Sequence, residues 1–142
     1  MIVRFTPEQV SEQWDVIKDA VVTVFSKDVE DRGKASNVIL QNLLCSIMQC
    51  WTVIVDNKVH AIIITAFMYT PIGTKSLMLY AMYIYNPVSN EEWISTYEGI
   101  KKYALTNGCK NIVGYVSNPK LLTILKNIEH TREMFVTIPI GG

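Results

Sequence analysis

The stretch from Leu77 to Leu125 constrains this chain most. It begins with an apolar run, Leu77 to Tyr85, and passes through a short loop into a segment with helical apolar spacing. Asn107-Gly108-Cys109-Lys110 then leads into a short β-branched run, Asn111 to Val116, and Ser117-Asn118-Pro119 opens another helical segment. A strand, a helix and a strand in that order call for a parallel pair joined by a right-handed crossover, because a right-twisted strand feeding a helix packs back onto its sheet in that sense. An α/β fold with a mixed sheet is therefore expected.

The helical segment carries its own boundaries. Ser89 precedes Glu92 at the spacing of a reciprocal capping box, Trp93, Tyr97, Ile100 and Ala104 mark one apolar face, and Asn107-Gly108 stops the helix through a left-handed residue. Lys101 and Lys102 fall on the exposed side. Further on, Ser117 or Asn118 caps a helix with Pro119 in its first turn and Leu121, Leu122, Leu125 and Ile128 buried, and a last strand runs from Glu133 to Ile140.

Upstream, Thr6-Pro7-Glu8-Gln9 starts a first helix with Val10, Trp14, Ile17 and Val21 at helical spacing, ending near Ser26. Lys27 to Ala35 reads as a charged loop containing Gly33. Ser36 or Asn37 caps a second helix through Met48, with Ile39, Leu40, Leu43, Leu44 and Ile47 on its buried face. From Cys50 the residues become β-branched and aromatic: Trp51 to Val55, the turn Asp56-Asn57-Lys58, Val59 to Met68, the turn Thr70-Pro-Ile-Gly-Thr74, and then Leu77 to Tyr85. These read as three consecutive antiparallel strands. Residues 1–142 read as one domain with no repeat and no linker.

Composition narrows the partners. With 49% hydrophobic and 18% charged residues the chain supplies one well-buried core, which excludes a disordered class. Thirteen basic and thirteen acidic side chains balance, so no global field steers it to nucleic acid or an anionic membrane. The longest apolar runs, Ala61 to Met68 and Leu77 to Ile84, fall short of the roughly 20 residues of a bilayer span. The opening Met-Ile-Val-Arg-Phe-Thr-Pro lacks the basic start and apolar core of a signal peptide, and an intracellular, soluble protein is expected. Cys45, Cys50 and Cys109, with His60 and His130, have no metal-ligand spacing and read as structural thiols.

The order of two helices, three antiparallel strands, helix, strand, helix, strand is similar to the GNAT acetyltransferase fold over almost the full length. The residue match is best in Tyr97-Glu-Gly-Ile-Lys-Lys-Tyr-Ala104, Gly108-Cys-Lys-Asn-Ile112 and Ser117-Asn-Pro-Lys120. The resemblance implies a mostly antiparallel sheet with flanking helices, and an acetyl-CoA site at Tyr85, Asn90, Glu91 and Asn118. In that family a glycine-rich loop and a helix N-terminus hold the CoA pyrophosphate, since unpaired N–H groups and the helix dipole favour an anion. Here Tyr85-Asn-Pro-Val-Ser-Asn-Glu-Glu92 contains no glycine, loses one donor at Pro87, and places Glu91 and Glu92 in the first helical turn.

Chemistry departs as well. Many family members carry a tyrosine acid in the Asn-initiated helix, where this chain has Leu125 or its neighbours. No general base stands out: Glu98 lies on the central helix, His60 and Asp56 lie on the hairpin, and no catalytic residue is assigned. Tyr80, Tyr83 and Tyr85, with Tyr69 and Trp93 nearby, read first as packing. The alternative is a pocket between the third strand and the parallel strand, lined by Tyr83, Tyr85 and Trp93.

Short GNAT-like proteins with a tryptophan early in the central helix, a Gly-Cys-Lys turn and an Asn-Pro helix start are similar to proteins of tailed bacteriophages, some of them internal virion proteins. That resemblance implies a non-catalytic virion component or accessory factor with a degenerate acetyl-CoA loop, in the virion or the host cytoplasm. It would use no cofactor and would bind another protein or its own copy, with neither nucleic acid nor membrane as partner. The alternative is a divergent acetyl-CoA-dependent N-acetyltransferase. A third reading, a homodimer scaffold, pairs copies through the apolar strand Met134 to Ile140.

Overall fold

The computed structural model describes residues 1–25 and 32–114. In chain order the elements are β1 (Ile2–Arg4), α1 (Pro7–Glu12), α2 (Trp14–Phe25), α3 (Arg32–Leu44), β2 (Met48–Val55), β3 (Lys58–Tyr69), β4 (Lys75–Ile84), α4 (Asn90–Thr106) and β5 (Asn111–Gly114). The strands form one sheet in the order β1-β2-β3-β4-β5, antiparallel throughout except between β4 and β5. The parallel pairing matches Ser76 with Asn111 through Leu79 with Gly114, and α4 is the crossover between them. The mixed, mostly antiparallel sheet with flanking helices expected from the sequence is the architecture observed.

Turn chemistry sets the antiparallel register. Asp56 and Asn57 both take positive φ, 52° and 62°, as the tight turn between β2 and β3 requires. Short polar side chains tolerate that region best after glycine. Gly73, with φ 85°, turns β3 into β4.

β3 explains the apolar run from Ala61. Ile62 and Ile64 face one layer while Ala61 and Ile63 face the other, so both sides of the strand are covered. On the first side Val10, Ile17, Ala20, Val21, Ile39 and Leu43 of α1–α3 pack over Cys50, Ile62 and Ile64. On the second, Trp93, Ile100 and Ala104 of α4 pack over Trp51, Val53, Ala61, Ile63 and Leu77. Each large side chain buried this way contributes about 1.5–3 kcal/mol. The α4 layer also encloses a polar relay: Trp51 Nε1 donates to Thr65 Oγ1 at 2.9 Å, Thr65 Oγ1 donates to Gln49 Oε1 at 2.8 Å, and Gln49 Nε2 donates to the Ser46 carbonyl at 2.9 Å. Complete pairing is what makes these buried polar groups tolerable.

Several boundaries differ from the sequence expectation. β1 was not foreseen: Ile2, Val3 and Arg4 pair with Val53, Thr52 and Trp51, and a segment this short carries too little alternation to register as a strand. The expected first helix is two, because the chain turns at Gln13, whose carbonyl accepts from both Val16 and Ile17 and so begins α2. Its start is as expected, with the Thr6–Gln9 capping box complete. α3 begins by Arg32, so Gly33 to Ala35 are helical rather than part of a loop, and Ser36 is buried with its hydroxyl on the Gly33 carbonyl at 3.0 Å instead of capping. The helix stops at Leu44 because Ser46 adopts φ 65°, which leaves Leu44 and Ile47 exposed and starts β2 at Met48. On α4, Tyr97 is half-buried at the flank, and Thr96 takes the sheet-facing position. The expected helix from Ser117 and the strand from Glu133 lie outside the described residues.

Ile100 is 3% exposed under the α4 layer. Ile100→Asp should cost about 3 kcal/mol or more through an unpaired buried charge, whereas Lys102→Ala, on the solvent side, should stay within about 0.5 kcal/mol. Thermal or urea unfolding of the two variants checks both. Burial pushes the Cys50 thiol from 9.0 up to about 12. The unfolded chain therefore gives up this proton first, so the thiol's contribution is intact below about pH 9 and is lost as the pH rises toward about 12. Thermal midpoints measured between about pH 8 and 11 should fall less steeply for Cys50→Ala than for the wild type.

Candidate functional site

The sheet is irregular where β4 leaves β5. Parallel pairing extends through Leu79, and the register with β3 slips there, from Thr65 opposite Leu79 to Ile64 opposite Ala81, so Tyr80 is the extra residue. Such a bulge bends its strand and takes a backbone unit out of the ladder. Leu77, Leu79 and Met82 all contact the α4 layer, a break in strict alternation within an otherwise regular strand.

Beyond the bulge, β4 runs into the loop 85–89 and the N-terminus of α4. The loop is pinned from below by β3. The His60 carbonyl accepts from the N–H groups of Tyr85 at 2.8 Å and Asn86 at 3.2 Å, and His60 Nδ1 lies 3.0 Å from the Pro87 carbonyl. A carbonyl partner requires the proton on Nδ1, which leaves Nε2 of a neutral ring as the acceptor. Val88, 8% exposed, inserts beside Trp93 into the α4 layer.

Ser89 then closes the helix end. Its hydroxyl accepts from the Glu92 N–H at 3.2 Å and its carbonyl from the Trp93 N–H at 3.0 Å. The reciprocal half of the expected capping box is absent, because the Glu92 carboxylate instead pairs with the Met1 amino group at 3.0 Å. Glu91 is exposed in the same first turn. Two carboxylates here complement the positive end of the helix dipole from within the chain.

The sequence-predicted site residues fall into separate places. Asn90 and Glu91 are the first residues of α4. Tyr83 and Tyr85 meet edge to face with ring centroids 4.7 Å apart, and Tyr83 packs against the α1–α3 layer. Trp93 belongs to the α4 layer, on the other side of the sheet. The Tyr85 phenol is raised above its ordinary value by burial, with Tyr83, Asp19 and Cys50 adding to the effect. Asp56 occupies the β2–β3 turn and Glu98 the exposed side of α4. Asn118 lies outside the described residues. Among the described residues no group of three or more His, Cys, Asp or Glu could hold a metal ion, and no helix is long and apolar enough to cross a membrane.

Three features at the α4 N-terminus bear on whether an anion such as a CoA pyrophosphate can sit there. The Ser89 hydroxyl takes the Glu92 N–H, Pro87 has no N–H to offer, and Glu91 opposes an anion while the Glu92 carboxylate is paired with the Met1 amino group.

No known protein family matches the sequence, and no curated protein is similar to it. Solved structures are similar in fold. A probable acetyltransferase superposes with a TM-score of 0.74 at 12% identity, covering 100% of this chain and 99% of its own. A predicted acetyltransferase with acetyl-CoA from Clostridium acetobutylicum gives 0.69 at 10% identity, with 99% and 96% covered. The ribosomal-protein-alanine N-acetyltransferase from Brucella melitensis biovar Abortus 2308 gives 0.68 at 10% identity, with 98% of each chain covered. Likeness over whole chains at such low identity shows architecture, and this chain has the fold of the GNAT acetyltransferases.

Proposed function

We propose that this protein is a GNAT-fold binding protein that works without acetyl-CoA. The observation that carries the reading is the self-satisfied N-terminus of α4. Ser89 caps it, Glu91 and Glu92 supply its negative charge, and Pro87 and His60 hold the preceding loop in a bonded shape without glycine. Each carboxylate near a helix N-terminus stabilises the free protein by roughly 0.3–1 kcal/mol, and incoming phosphates would add repulsion to the loss of that partner. Its partner is another protein or a second copy. The proposed role is that of a phage virion component or accessory factor, in the virion or the host cytoplasm, and mass spectrometry of purified phage particles distinguishes the two.

A second reading, a divergent acetyl-CoA-dependent N-acetyltransferase, is favoured by the bulge at Tyr80 at the end of the described β4–β5 pairing and by acetyl-CoA in one structural neighbour. Positioning a donor and an acceptor side by side supplies much of the rate in such a reaction even without an evident base.

Calorimetric titration with acetyl-CoA separates the readings. The wild type should bind weakly or not at all, and Glu91→Gln/Glu92→Gln should improve any residual affinity. Tight binding by the wild type that the double substitution leaves unchanged or weakens would instead establish the loop as a variant cofactor site and the protein as an enzyme.

A further inference from the structure

We infer that Asn107-Gly108 is a covalent modification site: an asparagine that deamidates when the C-terminus of α4 opens, with a product that uncouples β5 from β4. This goes beyond the function proposed above and does not depend on it.

The chemistry needs no reagent but water. The Gly108 nitrogen, once its proton passes to hydroxide, attacks Cγ of Asn107. The bond from Cγ to Nδ2 breaks, ammonia leaves, and a cyclic succinimide remains. Water then opens the ring. Attack at Cγ gives aspartate with the main chain restored, and attack at the former main-chain carbonyl gives isoaspartate, whose main chain runs through Cγ. Glycine as the following residue puts no side chain in the way of ring closure. Lys75 adds an electrostatic push: its ammonium donates to the Asn107 carbonyl at 3.0 Å, which draws charge from the peptide nitrogen that must give up a proton.

The fold holds the reacting groups in other bonds. Asn107 is the C-cap of α4 at φ −95° and ψ 12°, and its Nδ2 donates to the Tyr103 carbonyl at 2.9 Å. The Gly108 N–H donates to the Leu105 carbonyl at 3.1 Å. Both bonds must break before the nitrogen and Cγ can meet. Helix ends open locally, at less cost than the whole fold, so the reaction needs only the last turn of α4 to come apart.

The product matters because the junction into β5 has no slack. The Cys109 N–H donates to the Ala104 carbonyl at 2.9 Å and the Lys110 N–H to the Lys75 carbonyl at 2.8 Å, and parallel pairing starts at Ser76 with Asn111. Isoaspartate inserts an extra carbon into the main chain just ahead of these bonds and shifts them out of register. Either product also replaces the amide donor on the Tyr103 carbonyl by a carboxylate, which only accepts, at the negative end of the α4 dipole.

The test ages the full chain at mildly alkaline pH and reads deamidation at Asn107 by mass spectrometry and isoaspartate content. A synthetic peptide spanning Tyr103 to Ile112 should deamidate about tenfold or more faster than the folded protein. Urea below the unfolding transition should raise the protein's rate with a slope well under that of global unfolding, since local opening exposes little surface. The purified isoaspartate form should lose hydrogen-exchange protection at Lys110 and along β5 while β2 and β3 keep theirs, and Asn107→Gln, which retains the amide, should age without these changes. Equal rates in protein and peptide, a urea slope matching global unfolding, or an isoaspartate form that retains protection at Lys110 would overturn the inference.

Discussion

The structure depends on β3 being covered on both faces. Ile62 and Ile64 anchor the layer of α1–α3, while Ala61 and Ile63 anchor the layer of α4, so neither layer has a core without this strand. The small Ala61 on the α4 side lies in a layer filled by two indoles, Trp51 and Trp93. Close-packed interiors tolerate little change of volume, so the two helical layers are coupled through a single strand. β4 inherits its place from β3 by antiparallel pairing, and β5 inherits its place from β4 by parallel pairing.

The same arrangement decides the character of the α4 N-terminus. His60 lies on β3, and its backbone and ring both hold the loop that leads from β4 into α4. A loop held this way presents fixed carbonyls and side chains where a phosphate site needs free N–H groups. Ser89 and the two glutamates complete the same outcome at the helix itself. The GNAT fold is present here with a loop of different chemistry before α4, since a fold does not by itself fix a site.

Helix α4 therefore has two roles set by two faces. Its inner face holds the second core layer, and its β1 flank is closed by a glycine that permits close approach. Only the first of these is a matter of amphipathic periodicity. The second depends on a strand from the far end of the chain.

Local chemistry made much of this legible from the residues. Thr6-Pro7 and Ser89 start helices, Gly108 ends one with φ 78°, and Asp56-Asn57 turns a hairpin, because each acts through its own backbone and its immediate neighbours. The parallel β4–β5 pair followed from the strand-helix-strand order and the fixed hand of crossovers. The sequence by itself thus determined the fold class, the pairing of β2 through β5 and the absence of glycine from the loop before α4. Only the tertiary structure decided that β1 joins β2, that the Glu92 carboxylate meets Met1 instead of its own cap, that Tyr83 and Trp93 stand on opposite sides of the sheet, and that Tyr80 is the residue squeezed out of the ladder. These outcomes depend on residues far apart in sequence competing for the same partners and the same volume, and no local pattern records who wins that competition.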